Sequence, residues 1–149
     1  MRIVIQRVSE ASVKIDGEIT STIQVGFLVL LGIEIDDTTD DADYLIQKLI
    51  NLRVFSDQDG KMNLSLTDVN GDILIVSQFT LHAVTQKGNR PSYIKAARPE
   101  QAIPLYEYFL NKTKSQFSGK VLSGEFGADM KVTLVNDGPV TIIIDSKEV

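Results

Sequence analysis

From Phe27 to Ile35 the chain reads Phe-Leu-Val-Leu-Leu-Gly-Ile-Glu-Ile, apolar at nearly every position. A half-exposed strand alternates apolar and polar residues, so a run this continuous fits a strand covered on both faces. Asp72 to Leu81 (DILIVSQFTL) is its counterpart, a central strand launched by an Asn70-Gly71 turn. Such strands need cover, and two segments carry helical faces. Ala42, Leu45, Ile46, Leu49 and Ile50 recur at helical spacing, behind Asp36-Asp37-Thr38-Thr39, which supplies N-cap residues and acids for a helix start. Pro99 suits a first helical position. Beyond it Ala102, Tyr106, Phe109, Leu110, Thr113 and Phe117 share one face, and Pro104 falls in the first turns, where a missing N–H costs least.

The other strands are shorter. Arg2 to Val8 is β-rich, and Ser12–Ile15 and Glu18–Gln24 flank Asp16-Gly17, a hairpin signal. Asp57 to Gly60 is a turn. Val121-Leu122 and Met130–Val135 read as strands, and Asp137-Gly138 turns into Val140–Asp145. Taken alone, Gly138-Pro139 reads as a trans hairpin turn, since few X-Pro bonds are cis. The order ββ(β)–α–ββ–loop–α–βββ predicts an α/β fold. Residues 1–149 form one compact domain, with a mixed, largely antiparallel sheet covered by two helices.

Composition removes whole classes of chemistry. The chain has no cysteine, so disulfides, thiol nucleophiles and thiolate metal sites are excluded. It has one histidine, His82, too few for a multi-histidine zinc site. No metal or cofactor is expected. No apolar run approaches the ~18 residues of a membrane span. The opening MRIVIQRVSEASV carries charges where a signal peptide needs an apolar stretch, so the expected address is the cytosol. The net charge of −5 hides a division. Ile73–Gly124 holds seven basic residues against two acids, a net +5. Four of them, Lys87, Arg90, Lys95 and Arg98, lie in the irregular stretch 82–98. That stretch is either a phosphate-facing patch or a solvated loop.

The residues alone also leave the chemistry open. Ser77-Gln78-Phe79-Thr80 ends a central strand beside a long loop, a place for a site or simply for a strand to leave the core. Thr80 as a nucleophile would need a base. On a continuous strand, His82 would start ~7 Å away, with nothing to orient it, and it reads as a surface residue. Phe126 and Met130 flank a strand break, either as core packing or as the apolar wall of a pocket.

Several motifs occur together in order: QRVSEASV at 6–13, NLRVF at 51–55, GKMNLSL at 60–66, SQFTL at 77–81, KGNRPS at 87–92, FGADM at 126–130 and NDGPVT at 136–141. With these the chain resembles the D-aminoacyl-tRNA deacylase family from Met1 to about Asp145. The resemblance implies a homodimer that hydrolyses the ester between a D-amino acid and the terminal adenosine of tRNA, and acts on some glycyl-tRNA. It implies that Ser77, Gln78, Phe79 and Thr80 form the catalytic pocket, with Phe126 and Met130 as its wall. It implies that a cis Gly138-Pro139 reaches in from the partner subunit, supported by Arg7. Backbone carbonyls there would hold the substrate ammonium and leave no room for an L side chain. Lys87, Arg90, Lys95 and Arg98 would meet acceptor-stem phosphates. With no convincing side-chain base, the implied mechanism is assisted by the ribose 2′-hydroxyl. The family's motif often continues with tyrosine after the leucine, where this chain has His82. A non-catalytic dimeric module that binds D-amino acids or tRNA 3′ ends would carry the same motifs, and turnover distinguishes it.

Overall fold

A computed structural model describes residues 1–148. The elements are β1 (Arg2–Ile15), β2 (Glu18–Ile23), β3 (Gly26–Gly32), α1 (Thr39–Asn51), β4 (Phe55–Ser56), β5 (Met62–Leu64), β6 (Asp72–Ser77), a 3-10 turn (Phe79–His82), α2 (Pro99–Gln116), β7 (Val121–Ser123) and β8 (Met130–Asp145). The fold is mixed α/β. The main sheet has six strands, ordered β2-β1-β3-β6-β7, with β8 added against β1. β1 runs antiparallel to β2, β3 and β8, whereas β3–β6 and β6–β7 are parallel.

β1 organises this sheet. One of its edges meets β3 at residues 2–8 and β2 at residues 11–15, while the other follows β8 along its length. The Asp16-Gly17 turn closes β1 onto β2 with φ of 49° and 80°, the pair of positive values that a two-residue hairpin uses. The central strands then divide their side chains by period two. Phe27, Val29, Leu31, Ile73 and Ile75 face α1 and α2 in one core. Leu28, Leu74 and Val76 face the other way, onto Val8, Ala11, Val13 and Ile23 of the β1–β2 arm. Helices therefore cover one face, and the folded-over arm covers the second.

Helix α1 starts on a capping box. The Thr38 side chain accepts from the Asp40 N–H at 3.3 Å, and the Thr38 N–H donates to Asp41 at 2.8 Å. Its buried face is Ala42, Leu45, Ile46 and Leu49, as the spacing predicts. Asp37 does not cap the helix. Its buried carboxylate takes the Met1 ammonium at 2.5 Å and the Glu34 N–H at 2.6 Å. α2 begins at Pro99 and buries Ala102, Tyr106, Phe109 and Thr113.

Four sequence expectations change. The two short strands expected in residues 2–15 are one, because β8 pairs with β1 on both sides of its exposed Ser9 and Glu10. The strand from Asp72 stops at Ser77 and the chain tightens into a 3-10 turn. The strand from Phe27 ends at Gly32 rather than Ile35. Finally, Asp137-Gly138 makes no hairpin: β8 passes through it, with register shifts opposite Val8 absorbing the irregularity.

Candidate active site

A cavity of about 330 Å³ opens at the C-terminal end of β6. Ser77, Gln78 and Phe79 line one side, and Phe126 and Met130 line another. Leu31 and Val76 form part of the floor, so the cavity rests directly on the central strands. Open α/β sheets bind ligands outside the carboxyl ends of their parallel strands, and β3 and β6 both end here. Phe126 is held by the Tyr106 ring of α2, with centroids 5.6 Å apart. Burial pushes the Tyr106 phenol up, and its hydroxyl has no hydrogen-bond partner among the described residues.

The turn after Ser77 is fixed from below. The Gln78 N–H donates to Leu31 O at 2.8 Å, Leu81 N–H to Gln78 O at 3.2 Å and Ala83 N–H to Thr80 O at 3.1 Å. Gly32 permits this approach, because a Cβ there would sit 2.9 Å from the Leu81 Cβ and 3.1 Å from Gln78 O. The first N–H groups of a helical turn have no partner within it. Among the described residues, those of Phe79 and Thr80 enter no hydrogen bond. Thr80 does not line the cavity. Its hydroxyl accepts from Gln78 Nε2 at 2.6 Å. His82, expected on the surface, is 5% exposed on the 3-10 turn, with Nε2 unpartnered among the described residues. Turn geometry replaces the strand spacing on which a Thr80–His82 pair would have depended, and Gln78 is the neighbour that Thr80 engages.

Gly138 and Pro139 lie elsewhere. They are exposed, and neither lines the cavity. The peptide bond between them is cis, not the trans bond that proline statistics favour. Arg7 holds the segment from β1: Nε donates to Asp137 O at 2.8 Å and Nη1 to Val54 O at 2.6 Å. From the far side Asn136 accepts the Val140 N–H at 2.8 Å and donates to Val140 O at 3.2 Å. Residue patterning gave no reason to select Asn136. The usable signal was its place four residues before a buried valine, across a Gly-Pro pair.

Lys87, Arg90, Lys95 and Arg98 are exposed, and none is ion-paired among the described residues. Val84 and Ser92 exchange backbone hydrogen bonds of 2.8 and 2.9 Å, so Lys87 and Arg90 project on a small hairpin. Among the described residues, no group of three histidine or acidic side chains could hold a metal ion. No described helix is long and apolar enough to cross a membrane.

The sequence profile of the D-Tyr-tRNA(Tyr) deacylase family matches residues 4–145. The chain belongs to this family. Among its relatives, the D-aminoacyl-tRNA deacylase of Christiangramia forsetii is 61% identical over 148 residues, covering 99% of both chains. That of Flavobacterium johnsoniae is 59% identical over 147 residues, covering 99% of this chain and 98% of its own. The Thermosipho melanesiensis protein of the same name is 56% identical over 149 residues, covering 100% and 99%. Among solved structures, the c-Myc DNA unwinding element binding protein superposes with a TM-score of 0.92 at 43% identity, over 97% of this chain and 98% of that one. A probable eukaryotic D-amino acid tRNA deacylase gives 0.83 at 17% identity over the same shares, a likeness of fold. Within the deacylase family, then, this chain places its SQFTL segment at a cavity and its GPVT segment away from it.

Proposed function

We propose that the chain hydrolyses the ester joining a D-amino acid to the 3′-terminal adenosine of tRNA, as a cytosolic homodimer. Family membership supports the reaction, and the observation that carries the site is the distance between its two halves. Gly138 lies eight residues along β8 from Met130, roughly 26 Å at ~3.3 Å per residue. It cannot close the cavity that Met130 lines in its own chain, but a second copy's segment can. β8 leaves its outer edge unpaired among the described residues and exposes Val135 and Ile143, a surface suited to a self-complementary contact.

In this reading the aminoacyl ester enters between Ser77–Phe79 and Phe126. The unused N–H groups of Phe79 and Thr80 donate to the oxyanion as it forms. The partner's backbone carbonyls at the Gly-Pro pair accept from the substrate ammonium. A backbone wall at that point leaves no volume for an L side chain, while a D side chain points out. With Thr80 bound to Gln78 and His82 sealed in the fold, no side chain stands ready as a base. Water attacks the ester carbon and the bond to the 3′-oxygen breaks. The ribose 2′-hydroxyl participates by hydrogen-bonding the water and relaying its proton to the departing 3′-oxygen, and the protein supplies orientation. Glycyl-tRNA, with no side chain to reject, is accepted too. The exposed cations of the 82–98 loop meet backbone phosphates.

Matched D- and L-aminoacyl-tRNA test this. The D form is released as free amino acid at catalytic protein concentration and the L form is left charged; equal rates would overturn it. A fully active monomer in sedimentation would remove the shared site. The lack of a side-chain base favours one other reading, a non-catalytic module for tRNA ends or D-amino acids. Saturable binding without turnover is its signature.

A further inference from the structure

The loop beyond the cavity carries more than charge. Tyr93 and Ile94 are 39% and 74% exposed, large apolar groups presented to solvent. They are not on a loose strand of chain. On one side the Val84–Ser92 bridge holds them. On the other, Ile35 N–H donates to Lys95 O at 3.1 Å and Ala97 N–H to Ile33 O at 3.0 Å, tying the loop to the chain after β3. Tyr93 meets Phe79 edge to face, with centroids 4.9 Å apart and planes at 76°. Phe79 itself is 54% exposed and lines the cavity. An aromatic ledge therefore runs from the cavity mouth outward, ordered by backbone bonds.

The loop itself carries charge of one sign, while Asp129 at the cavity and Glu34 and Asp36 on the adjoining chain after β3 are the acids nearest to it. Lys87 and Arg90 on the hairpin tip and Lys95 beyond Ile94 belong to the same loop, unpaired among the described residues, and the sequence has no acid from Ile73 to Pro99. A second copy of this surface would set like charge against like charge. Exposed aromatic faces bordered by cations suit single-stranded nucleic acid. Its bases stack without regard to sequence while its phosphates meet the cations.

We propose that Tyr93 and Ile94, continuing from Phe79, form a stacking ledge for the unpaired nucleotides that precede the terminal adenosine of the charged tRNA. The terminal ester occupies the cavity, and the strand leaving it crosses the ledge, with Lys87, Arg90 and Lys95 beside its phosphates. The inference rests on the deacylase reading and adds a subsite outside the reacting group.

Two substrates isolate it: a D-aminoacyl-tRNA, and the same amino acid on adenosine alone. Tyr93→Ala raises KM for the tRNA about tenfold, the order of one lost base–aromatic stack. It leaves kcat within about twofold and leaves the adenosine ester unaffected; Tyr93→Phe restores the parent values. An equal loss on both substrates would mean that Tyr93 only props Phe79, and no loss on either would leave the ledge without a ligand. Both results overturn the proposal, as does a change of sedimentation in Tyr93→Ala, which would mark a copy-to-copy contact. Should no ester be cleaved, the ledge is still tested by fluorescence anisotropy with an uncharged single-stranded oligonucleotide ending in CCA. About tenfold weaker binding by Tyr93→Ala, matched when the bases before the terminal adenosine are removed, supports it, and unchanged binding overturns it.

Discussion

Ser77–Thr80 and Gly138–Pro139 both depart from the regular course of a strand, yet the fold builds them in opposite ways. The first ends an interior parallel strand. It rests on Leu31 O and Gly32, and its Ser77, Gln78 and Phe79 line a cavity of their own chain. The second sits within a sixteen-residue edge strand, gripped by Arg7 and Asn136, and is exposed. The second segment is firmly held but lines no cavity of its own chain, and the proposed function assigns it to a second copy. In the proposed function the contrast is one between chemistry, at the first segment, and selection, at the second.

The largest expected effect tests the chemistry. Substrate ending in 2′-deoxyadenosine, charged on the 3′-hydroxyl, loses more than ~10²-fold in single-turnover rate, whereas Thr80→Ala stays within ~10²-fold, the low end for general acid–base groups. A dead Thr80→Ala enzyme beside brisk cleavage of the deoxy substrate would move the chemistry onto Thr80, and mass spectrometry of a quenched reaction would then show an acyl-threonine.

The next tests selection. Gly138 has φ of +151°, and a Cβ there would lie 2.8 Å from Val140 N and 3.2 Å from an Arg7 nitrogen. Gly138→Ala should cost roughly 1–3 kcal/mol in stability. It should lower kcat/KM on D-aminoacyl-tRNA by about 10²-fold, the effect of a misplaced positioning group. A variant that keeps full activity would detach this segment from the site.

Arg7→Ala removes two bonds from a guanidinium to backbone carbonyls. Because Arg7 is partly exposed, the loss is about 2 kcal/mol, a fall of roughly 5 °C in Tm for a chain of this size, with a roughly tenfold drop in kcat/KM. Arg7→Lys should not recover it, since a point charge cannot bridge both carbonyls. Thermal melts and kinetics on the same preparations check this.

The smallest effect is a control at a residue in neither segment. Partial burial opposes ionisation of Asp41, but the Thr38 N–H, the Ser146 hydroxyl and Lys147 together hold its pKa down to about 2. A depressed carboxylate stabilises the fold above its unfolded pKa, and that contribution is lost as pH falls through the folded value. Asp41→Asn should therefore melt earlier than the parent at neutral pH, and the gap should close between about pH 4 and pH 2. Deacylation at neutral pH should be unchanged; a loss of rate would show that activity follows global stability rather than the two segments.

Local pattern determined both helices. The spacing of Ala42, Leu45, Ile46 and Leu49, the Thr38 cap and Pro99 are each decided within a few residues, because helical hydrogen bonds and faces are local. The Asp16-Gly17 hairpin was legible for the same reason. The motif set pointed to the family, and the cavity does collect Ser77, Gln78, Phe79, Phe126 and Met130. Strand extents were not legible. Ser9 and Glu10 look like a break until β8 pairs with Val8 and Glu10 on either side of Ser9, and Gly138-Pro139 looks like a turn until Arg7 and Asn136 hold it within a strand. Burial of His82 and Asp37 likewise depends on groups far along the chain, Gly32 under the imidazole and the Met1 ammonium on the carboxylate. A strand's hydrogen bonds lie on its neighbours and a buried polar group's partners lie across the core, so only the assembled sheet could decide where these residues stand.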